Sequence, residues 1–270
     1  MPTDSGRPNE ADSTPSASSP GLASGRPLLD ADDAERCLER AMGADDPLRK
    51  RQWAERGLAL RHPMHPTTEA MLQRQLYLAA FAEGAFDDAL QHVEAALQLD
   101  VVPDVLHQDA ARACQAVGDT DGAVTHLRQA ARKGPANRRA FHHWTLGSVL
   151  FVAGRHEEAV AALERAARWG THDKPLYRGH LALAKCRAGQ PVRGLEQLFN
   201  SLEDSPAGRG YGRFVLGHLA YQQGRFDDAR RYLKSFVERT ERDKPALARA
   251  LEGELRMARG TLRELDRDAS

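Results

Sequence analysis

Cysteine is scarce in this sequence, and its spacing is not that of a disulfide framework. Three cysteines occur among 270 residues, at positions 37, 114 and 186. They are odd in number, widely separated and never arranged as Cys-x-x-Cys, whereas small secreted domains carry dense sets of paired cysteines. We therefore expect reduced thiols and a cytoplasmic protein.

Long apolar runs are also missing. A membrane-spanning helix needs about 20 consecutive apolar residues, and no run approaching that length occurs. The first residues contain no apolar stretch of the kind found in signal peptides. The sequence therefore predicts neither a membrane span nor a secretory leader, and we expect no membrane partner.

Neither sign of charge is in excess. Lys and Arg total 38, Asp and Glu total 38, and the formal net charge is zero. A basic field over the whole molecule, which would attract nucleic acid, is therefore absent, although a local patch remains compatible with this balance. Short basic pairs such as Arg138–Arg139 and Arg230–Arg231 predict solvated surfaces, with sequence-independent nucleic-acid contact as the alternative. We expect no nucleic-acid partner.

Sequence motifs for catalysis are missing as well. The chain has no Gly-x-Gly-x-x-Gly, no phosphate-binding Gly-x-x-x-x-Gly-Lys-Ser/Thr, no His-Glu-x-x-His and no Gly-x-Ser-x-Gly. His156-Glu157-Glu158 lacks a second histidine four positions on, and no cysteine or acid lies at ligand spacing from His62 and His65. We expect no enzyme activity, no metal site and no cofactor.

What the sequence does contain is a repeat. Five glycines recur at spacings of 34, 36, 35 and 35 residues, and a small residue follows each of them five positions later. The glycines are Gly84, Gly118, Gly154, Gly189 and Gly224, and the small residues are Ala89, Ala123, Ala159, Gly194 and Ala229. A period near 35 with helical patterning indicates stacked helix pairs.

The residues around each glycine have physical reasons to be there. The sequence Gly84-Ala-Phe-Asp-Asp-Ala89 recurs almost unchanged from Gly154 and from Gly224. Glycine tolerates the left-handed backbone that ends a helix, and the paired acids favour the first turn of the next helix. Apolar or small residues lie four and seven positions beyond the small column, and this spacing predicts the buried face of the second helix. They are Val93, Leu127, Leu163, Leu198 and Leu233, then Ala96, Ala130, Ala166, Ser201 and Phe236.

Composition and register divide the chain into four parts. Residues 1–28 are rich in Pro, Ser and Gly without aromatics, which predicts a disordered tail. Residues 29–66 predict a degenerate N-terminal helix pair, and 67–243 the five repeats. Residues 244–270 predict a capping helix, from Pro245 to about Ala258, and a short tail. Such a helix would cover the open end of the stack. Its charged residues, such as Glu254, would then face water.

At this point the pattern resembles tetratricopeptide (TPR) repeats. Leu146-Gly147, Gly154, Ala159 and Ala166 match one complete unit of that family. The resemblance implies an all-α fold, an α-solenoid of about five TPR-like helix hairpins with a degenerate N-terminal hairpin and a C-terminal capping helix. The period would also suit pentatricopeptide repeats, which read RNA, but the glycine and alanine columns and the neutral charge argue against them.

The resemblance also implies where a partner would bind. In this family the first helix of each pair lines a concave groove that holds ligands. The family positions, carried over to this sequence, give nine candidate partner-binding residues: Arg74, Phe81, Arg112, Trp144, Phe151, Arg187, Tyr211, Phe214 and Tyr221. Aromatic residues and arginine are the usual anchors of protein interfaces. The family's lysine and asparagine carboxylate clamp is lacking, so a chaperone tail is not the expected ligand.

Two functions are compatible with such a stack of helix pairs. The first is a non-catalytic scaffold or adaptor that binds a peptide or helix of a protein partner in the concave groove. The alternative is a structural module that self-associates, or joins a larger assembly, through Phe214, Tyr221 and the last helix. A homo-oligomer is compatible with the second function, and some groove aromatics could equally pack between neighbouring units.

Overall fold

The computed structural model describes residues 33–61, 63–243 and 245–268, and within these ranges all regular structure is helical. The predicted tail, 1–28, lies outside the described residues. The helices are α1 (Ala34–Gly43), α2 (Pro47–Leu58), α3 (Pro66–Glu83), α4 (Phe86–Leu97), α5 (Pro103–Val117), α6 (Thr120–Lys133), α7 (Ala136–Val152), α8 (His156–Trp169), α9 (Lys174–Arg187), α10 (Leu195–Glu203), α11 (Gly212–Gln222), α12 (Phe226–Asp243), α13 (Pro245–Ala250) and α14 (Glu252–Asp268), with a 3-10 turn at Pro206–Gly208.

Consecutive helices pack against each other along the chain, and five of the pairs are the predicted repeats. They are α3–α4, α5–α6, α7–α8, α9–α10 and α11–α12. Each pair also contacts the next one, so apolar side chains between pairs form a core that continues from one repeat to the next. The predicted all-α solenoid is confirmed. No described helix combines the length and the apolar character that crossing a bilayer would require.

The column glycines end the first helix of each pair, as predicted. All five have φ between 68° and 88°, a region that residues with a Cβ rarely occupy. At the first of them, the Ala85 N–H donates to the Ala80 carbonyl at 2.9 Å and the Gly84 N–H donates to the Phe81 carbonyl at 3.2 Å. This Schellman arrangement satisfies carbonyls that the helix end would otherwise leave unpaired.

Small residues allow the two helices of a pair to approach closely. A Cβ added to Gly147 would lie 2.5 Å from Leu163 Cγ, and one added to Gly217 would lie 2.5 Å from Leu233 Cγ. The alanines of the small column at 89, 123, 159 and 229 are fully buried. The hairpins therefore depend on the absence of side-chain volume at these positions.

The fourth repeat departs from the predicted register by one residue. Gly194 lies outside α10, at φ 68°, and the buried residues of α10 are Phe199 and Leu202 in place of the expected Leu198 and Ser201. Pro191 and the left-handed Gly194 lengthen the loop before the helix, so the helix starts later. The residues of α10 that are buried are therefore determined by where the helix starts, and not by their spacing from Gly189.

The N-terminal pair covers the first repeat. Asp33 and Asp46 cap α1 and α2 by accepting hydrogen bonds from the N–H groups of Arg36 and Arg49, at 2.6 and 3.0 Å. Ala41 of α1 and Ala54 of α2 share a small core cluster with Leu72 and Leu76 of α3. The apolar face of α3 is thereby kept from water.

The C-terminal segment differs from the single capping helix that the sequence predicts. It forms two helices, α13 and α14, with a turn at Leu251. Besides α12, helix α13 contacts α3 and α5. Two hydrogen bonds join it to α5: the Arg249 Nε donates to the Ala116 carbonyl at 3.1 Å, and the Gln115 Nε2 donates to the Ala250 carbonyl at 3.2 Å. The other helix, α14, contacts α7, α11 and α12. The segment therefore lies across the first helices of several repeats and not only against the fifth.

Candidate functional site

A cavity of about 570 Å³ separates the first helices of the repeats from the C-terminal segment. Residues of α5, α7, α11 and α12 form its walls, and residues of α13 and α14 close one side. We call it the inner cavity. Three of the predicted partner-binding residues line it, namely Arg112, Trp144 and Tyr211.

An aromatic wall forms one part of the inner cavity. The Trp144 ring lies 5.8 Å from the Phe141 ring and 5.1 Å from the Tyr211 ring, measured between centroids. Phe236 continues this wall at 6.2 Å from Tyr211. The Trp144 Nε1 is buried without a hydrogen-bond partner among the described residues. The wall can therefore take apolar side chains of a ligand, and a buried indole donor lies beside it.

Three arginines gather at the part of the cavity formed by the fifth repeat. They are Arg209, before α11, Arg213 on α11 and Arg239 on α12. None of them forms an ion pair with another described residue. Burial lowers the pKa of Arg213, and the positive charges of Arg239 and Arg209 lower it further. Mutual repulsion of this kind is relieved when an anion binds.

Glu254 of α14 is the single carboxylate in the lining, and it does not neutralise this cluster. Its side chain is 2% exposed, contrary to the expectation that it faces water. The Tyr211 hydroxyl donates to its Oε1 at 3.2 Å. Burial raises the pKa of Glu254 to about 7, so the carboxyl is about half protonated at neutral pH.

Replacement of Glu254 by glutamine is expected to stabilise the protein at pH 8 but not at pH 4. The pKa of Glu254 is about 7 in the folded protein against 4.5 ordinarily. The wild type therefore loses stability as the pH rises between these values, because the unfolded state has already released the proton that the folded state still holds. A difference on the order of 3 kcal/mol is expected above pH 7. Urea unfolding at both pH values measures it.

The control is Glu252→Gln on the same helix, where the carboxylate is partly exposed and 3.6 Å from Arg259. An exposed ion pair contributes less than about 1 kcal/mol, so little change is expected there. An equal effect of the two substitutions would contradict the assignment to Glu254.

Arg74 and Arg112, two of the predicted residues, meet at a buried acid. Asp109 is 3% exposed; its Oδ2 lies 2.6 Å from Arg74 Nε, and its Oδ1 lies 3.9 Å from Arg112 Nη1. Burial raises the pKa of Asp109 and the two arginines oppose this shift. Arg74 is therefore occupied within the chain, whereas the Arg112 side chain is 37% exposed and reaches the inner cavity.

The other predicted residues lie elsewhere. Phe81, Phe151 and Phe214 are buried at 9%, 0% and 0% exposure, because these positions face the neighbouring helices of the stack. Arg187 is exposed at the end of α9 and does not line the cavity. The Tyr221 hydroxyl donates to Glu264 of α14 at 3.2 Å. We therefore leave these five out of the inner-cavity site.

Four charged residues of the cavity escaped the sequence argument: Arg209, Arg213, Arg239 and Glu254. Arg213 lies two positions after Tyr211, a predicted residue that lines the cavity, so its place in the sequence was a usable signal. Arg239 lies on a second helix, and Glu254 lies on the closing segment. Family positions on first helices do not include either of them.

One buried pair near the cavity has the composition of a hydrolytic site but not its arrangement. The Ser148 Oγ lies 3.4 Å from His180 Nδ1 and donates to the Trp144 carbonyl at 3.0 Å. The His180 Nε2 has no partner among the described residues, and burial lowers the pKa of His180 to about 3. A hydrolytic histidine is normally oriented by an acid, which is missing here. The described residues also contain no cluster of three potential metal ligands.

Comparisons with known proteins find similarity to one family model and to solved structures. The family model "Tetratricopeptide repeat" matches residues 109–173 and 214–264. Among solved structures, PilF of Pseudomonas aeruginosa is 18% identical over 74% of this chain and 90% of its own, with a TM-score of 0.48. The TPR domain of P58(IPK) is 15% identical over 86% of this chain and 66% of its own, with a TM-score of 0.33. No curated protein is significantly similar.

Proposed function

We propose that this chain, which matches the tetratricopeptide repeat family model over residues 109–173 and 214–264, is a non-catalytic scaffold or adaptor that binds a peptide or helix of a partner protein in the inner cavity. Repeats of this family generally serve protein–protein interaction. The composition of the inner cavity is the observation that carries the proposal for this chain.

The cavity favours a segment in which an apolar side chain adjoins acidic residues. Its volume of about 570 Å³ is in the range of ordinary ligand sites. The aromatic wall provides apolar contact area, and the arginines at 209, 213 and 239 provide paired donors for carboxylates. The half-protonated Glu254 opposes an acidic ligand only weakly.

Selection of peptides from a random displayed library on the purified chain tests this proposal. We expect enriched peptides to combine acidic residues with an aromatic or large aliphatic residue. Trp144→Ala and Arg213→Glu are each expected to weaken their binding at least about tenfold, as loss of an interface anchor commonly does. Isothermal titration calorimetry measures the affinity, and circular dichroism verifies that the helices persist.

Arg187→Glu provides the matched control, since this exposed arginine lies outside the cavity lining. We expect it to leave the affinity unchanged. Equal loss in all three variants, or no loss in the two cavity variants, would overturn the assignment of binding to the inner cavity.

Self-association is the second candidate, with less support from the structure. Phe214 is fully buried, and Tyr221 is hydrogen-bonded to Glu264 within the chain. Two of its proposed contacts are thus directed inward. Light scattering over a concentration series decides between a monomer and a homo-oligomer; a strict monomer removes this candidate. The cytoplasmic location and the absence of nucleic-acid and membrane partners remain predictions.

A further inference from the structure

A second groove lies on the other side of the stack, between α6 and α8, which are the second helices of successive repeats. We call it the outer groove. Its floor is apolar and consists of the largely buried Ala131, Leu146, Leu150 and Ala162. Nothing in the proposed function of the inner cavity uses it.

Helix α7 separates the two sites. It contributes Phe141, Trp144 and Ser148 to the inner cavity and Arg139, His143 and Leu146 to the outer groove. With about 100° of rotation per residue, the two sets lie on roughly opposite faces of the helix. A ligand in one site therefore has no direct contact with a ligand in the other.

The rim of the outer groove is strongly basic. Arg128, Arg132, Arg139 and Arg165 line it, against one carboxylate, Glu158. That carboxylate is already paired with Arg128 at 2.7 Å and with Arg155 at 2.7 Å. No other acid is within ion-pair distance of Arg132, Arg139 or Arg165 among the described residues. The groove therefore carries excess positive charge on a chain whose net charge is zero.

Two residues that line this groove also carry buried polar atoms without partners. His143 is 7% exposed, and its Nδ1 has no hydrogen-bond partner among the described residues; the same holds for the buried Arg139 Nε. Such atoms are costly unless something satisfies them. Trp169 is 43% exposed beside His143, with ring centroids 5.1 Å apart. An exposed tryptophan among arginines is typical of the anchors of protein interfaces.

We propose that the outer groove is a second docking surface, which binds an acidic helical segment of a partner protein. The carboxylates of the bound segment would pair with the arginines of the rim. Its apolar side chains would cover the floor and Trp169. The lining residues of α8 run from Glu158 to Trp169, which corresponds to about 16 Å along the helix, the length of a helical segment of about three turns.

Charge distribution favours such a segment over a nucleic acid. A nucleic-acid strand gains affinity by releasing counterions along an extended basic track. Here acids border the basic rim, including Glu158 within the groove and Glu164 next to Arg165 in sequence. The positive region is as short as one helical segment and has an apolar floor, which a phosphate backbone does not need.

Fluorescence anisotropy with a labelled helical peptide of repeated Glu-Ala-Leu-Glu units tests the proposal. The full chain carries Arg213→Glu as a background, so that the inner cavity does not contribute. Arg165→Glu and Trp169→Ala are expected to weaken binding at least about tenfold each. Arg168→Glu, on the same helix but outside the groove lining, is the matched control. It should change the affinity less than about threefold, because salt screens the effect of an exposed charge on a ligand that it does not contact.

Three results would overturn the proposal. One is no measurable binding of the acidic peptide. Another is equal weakening by Arg168→Glu and Arg165→Glu, which would indicate a general charge effect. The third is tighter, Arg165-dependent binding of polyuridine of equal charge, which would make the groove a nucleic-acid site. Circular dichroism verifies the fold of each variant, and failure of the inner-cavity proposal leaves these outcomes unchanged.

Discussion

Replacement of Arg74 by methionine is expected to lower the free energy of unfolding by about 3 kcal/mol, because it leaves the buried Asp109 carboxylate with too few partners. Arg74 Nε lies 2.6 Å from Asp109 Oδ2, and Asp109 is 3% exposed. Arg112, at 3.9 Å, is too distant to replace that contact fully. The effect lies at the lower end of the usual range for broken buried pairs because Arg112 still provides some of the charge. Urea unfolding followed by circular dichroism measures it.

The double variant Arg74→Met/Asp109→Leu separates charge from packing. Replacing both members of a buried ion pair by apolar residues is often close to neutral. We therefore expect the double variant to recover most of the stability that the single variant loses. If it is as unstable as Arg74→Met, or if Arg74→Met is as stable as the wild type, the pair is not a structural bond between the first and second repeats.

Replacement of Gly217 by alanine is expected to destabilise the protein by about 2–3 kcal/mol, as overpacking of a close helix–helix contact does. The new Cβ would lie 2.5 Å from Leu233 Cγ and 3.2 Å from the Leu233 backbone nitrogen, so the two helices of the fifth hairpin must separate. Both residues are in the core. Thermal unfolding compared with the wild type shows the loss.

Gly260 offers a matched control for this substitution. It lies within α14, and a Cβ added there meets no atom within 4 Å. Gly260→Ala is therefore expected to stabilise the protein by about 0.5–1 kcal/mol, through the better helix propensity of alanine. Destabilisation by both substitutions to a similar extent would show that space at Gly217 is not the deciding factor.

The hairpin unit could be predicted because its determinants are local. Gly84 and its four equivalents all adopt the left-handed backbone, and the alanines of the small column are fully buried. Each signal acts over a few neighbouring residues, so it is visible along the chain. The same reasoning places the buried positions of α10 one residue too early. Pro191 and Gly194 change where the helix starts, and a fixed spacing from Gly189 takes no account of that change.

The binding residues were predictable only in part. Arg112, Trp144 and Tyr211 reach the inner cavity as expected, whereas Phe81 and Phe151 are buried. Four of these residues lie on first helices, and Tyr211 directly precedes one. A position on a helix determines which face a residue occupies but not what covers that face. Whether an aromatic side chain contacts a ligand or a neighbouring helix depends on how closely successive repeats pack.

The sequence by itself determined the period, the turns and the close contacts within hairpins, because capping, dihedral preference and side-chain volume act between residues near each other in the chain. The tertiary structure alone decided that the last helices cross the inner face, where Gln115 donates to the carbonyl of Ala250, 135 positions away. It thereby decided that Glu254 is buried and that arginines of the fifth repeat share a cavity with Arg112. Such contacts form when separate helices bury apolar surface together, and no periodic signal in the sequence records them.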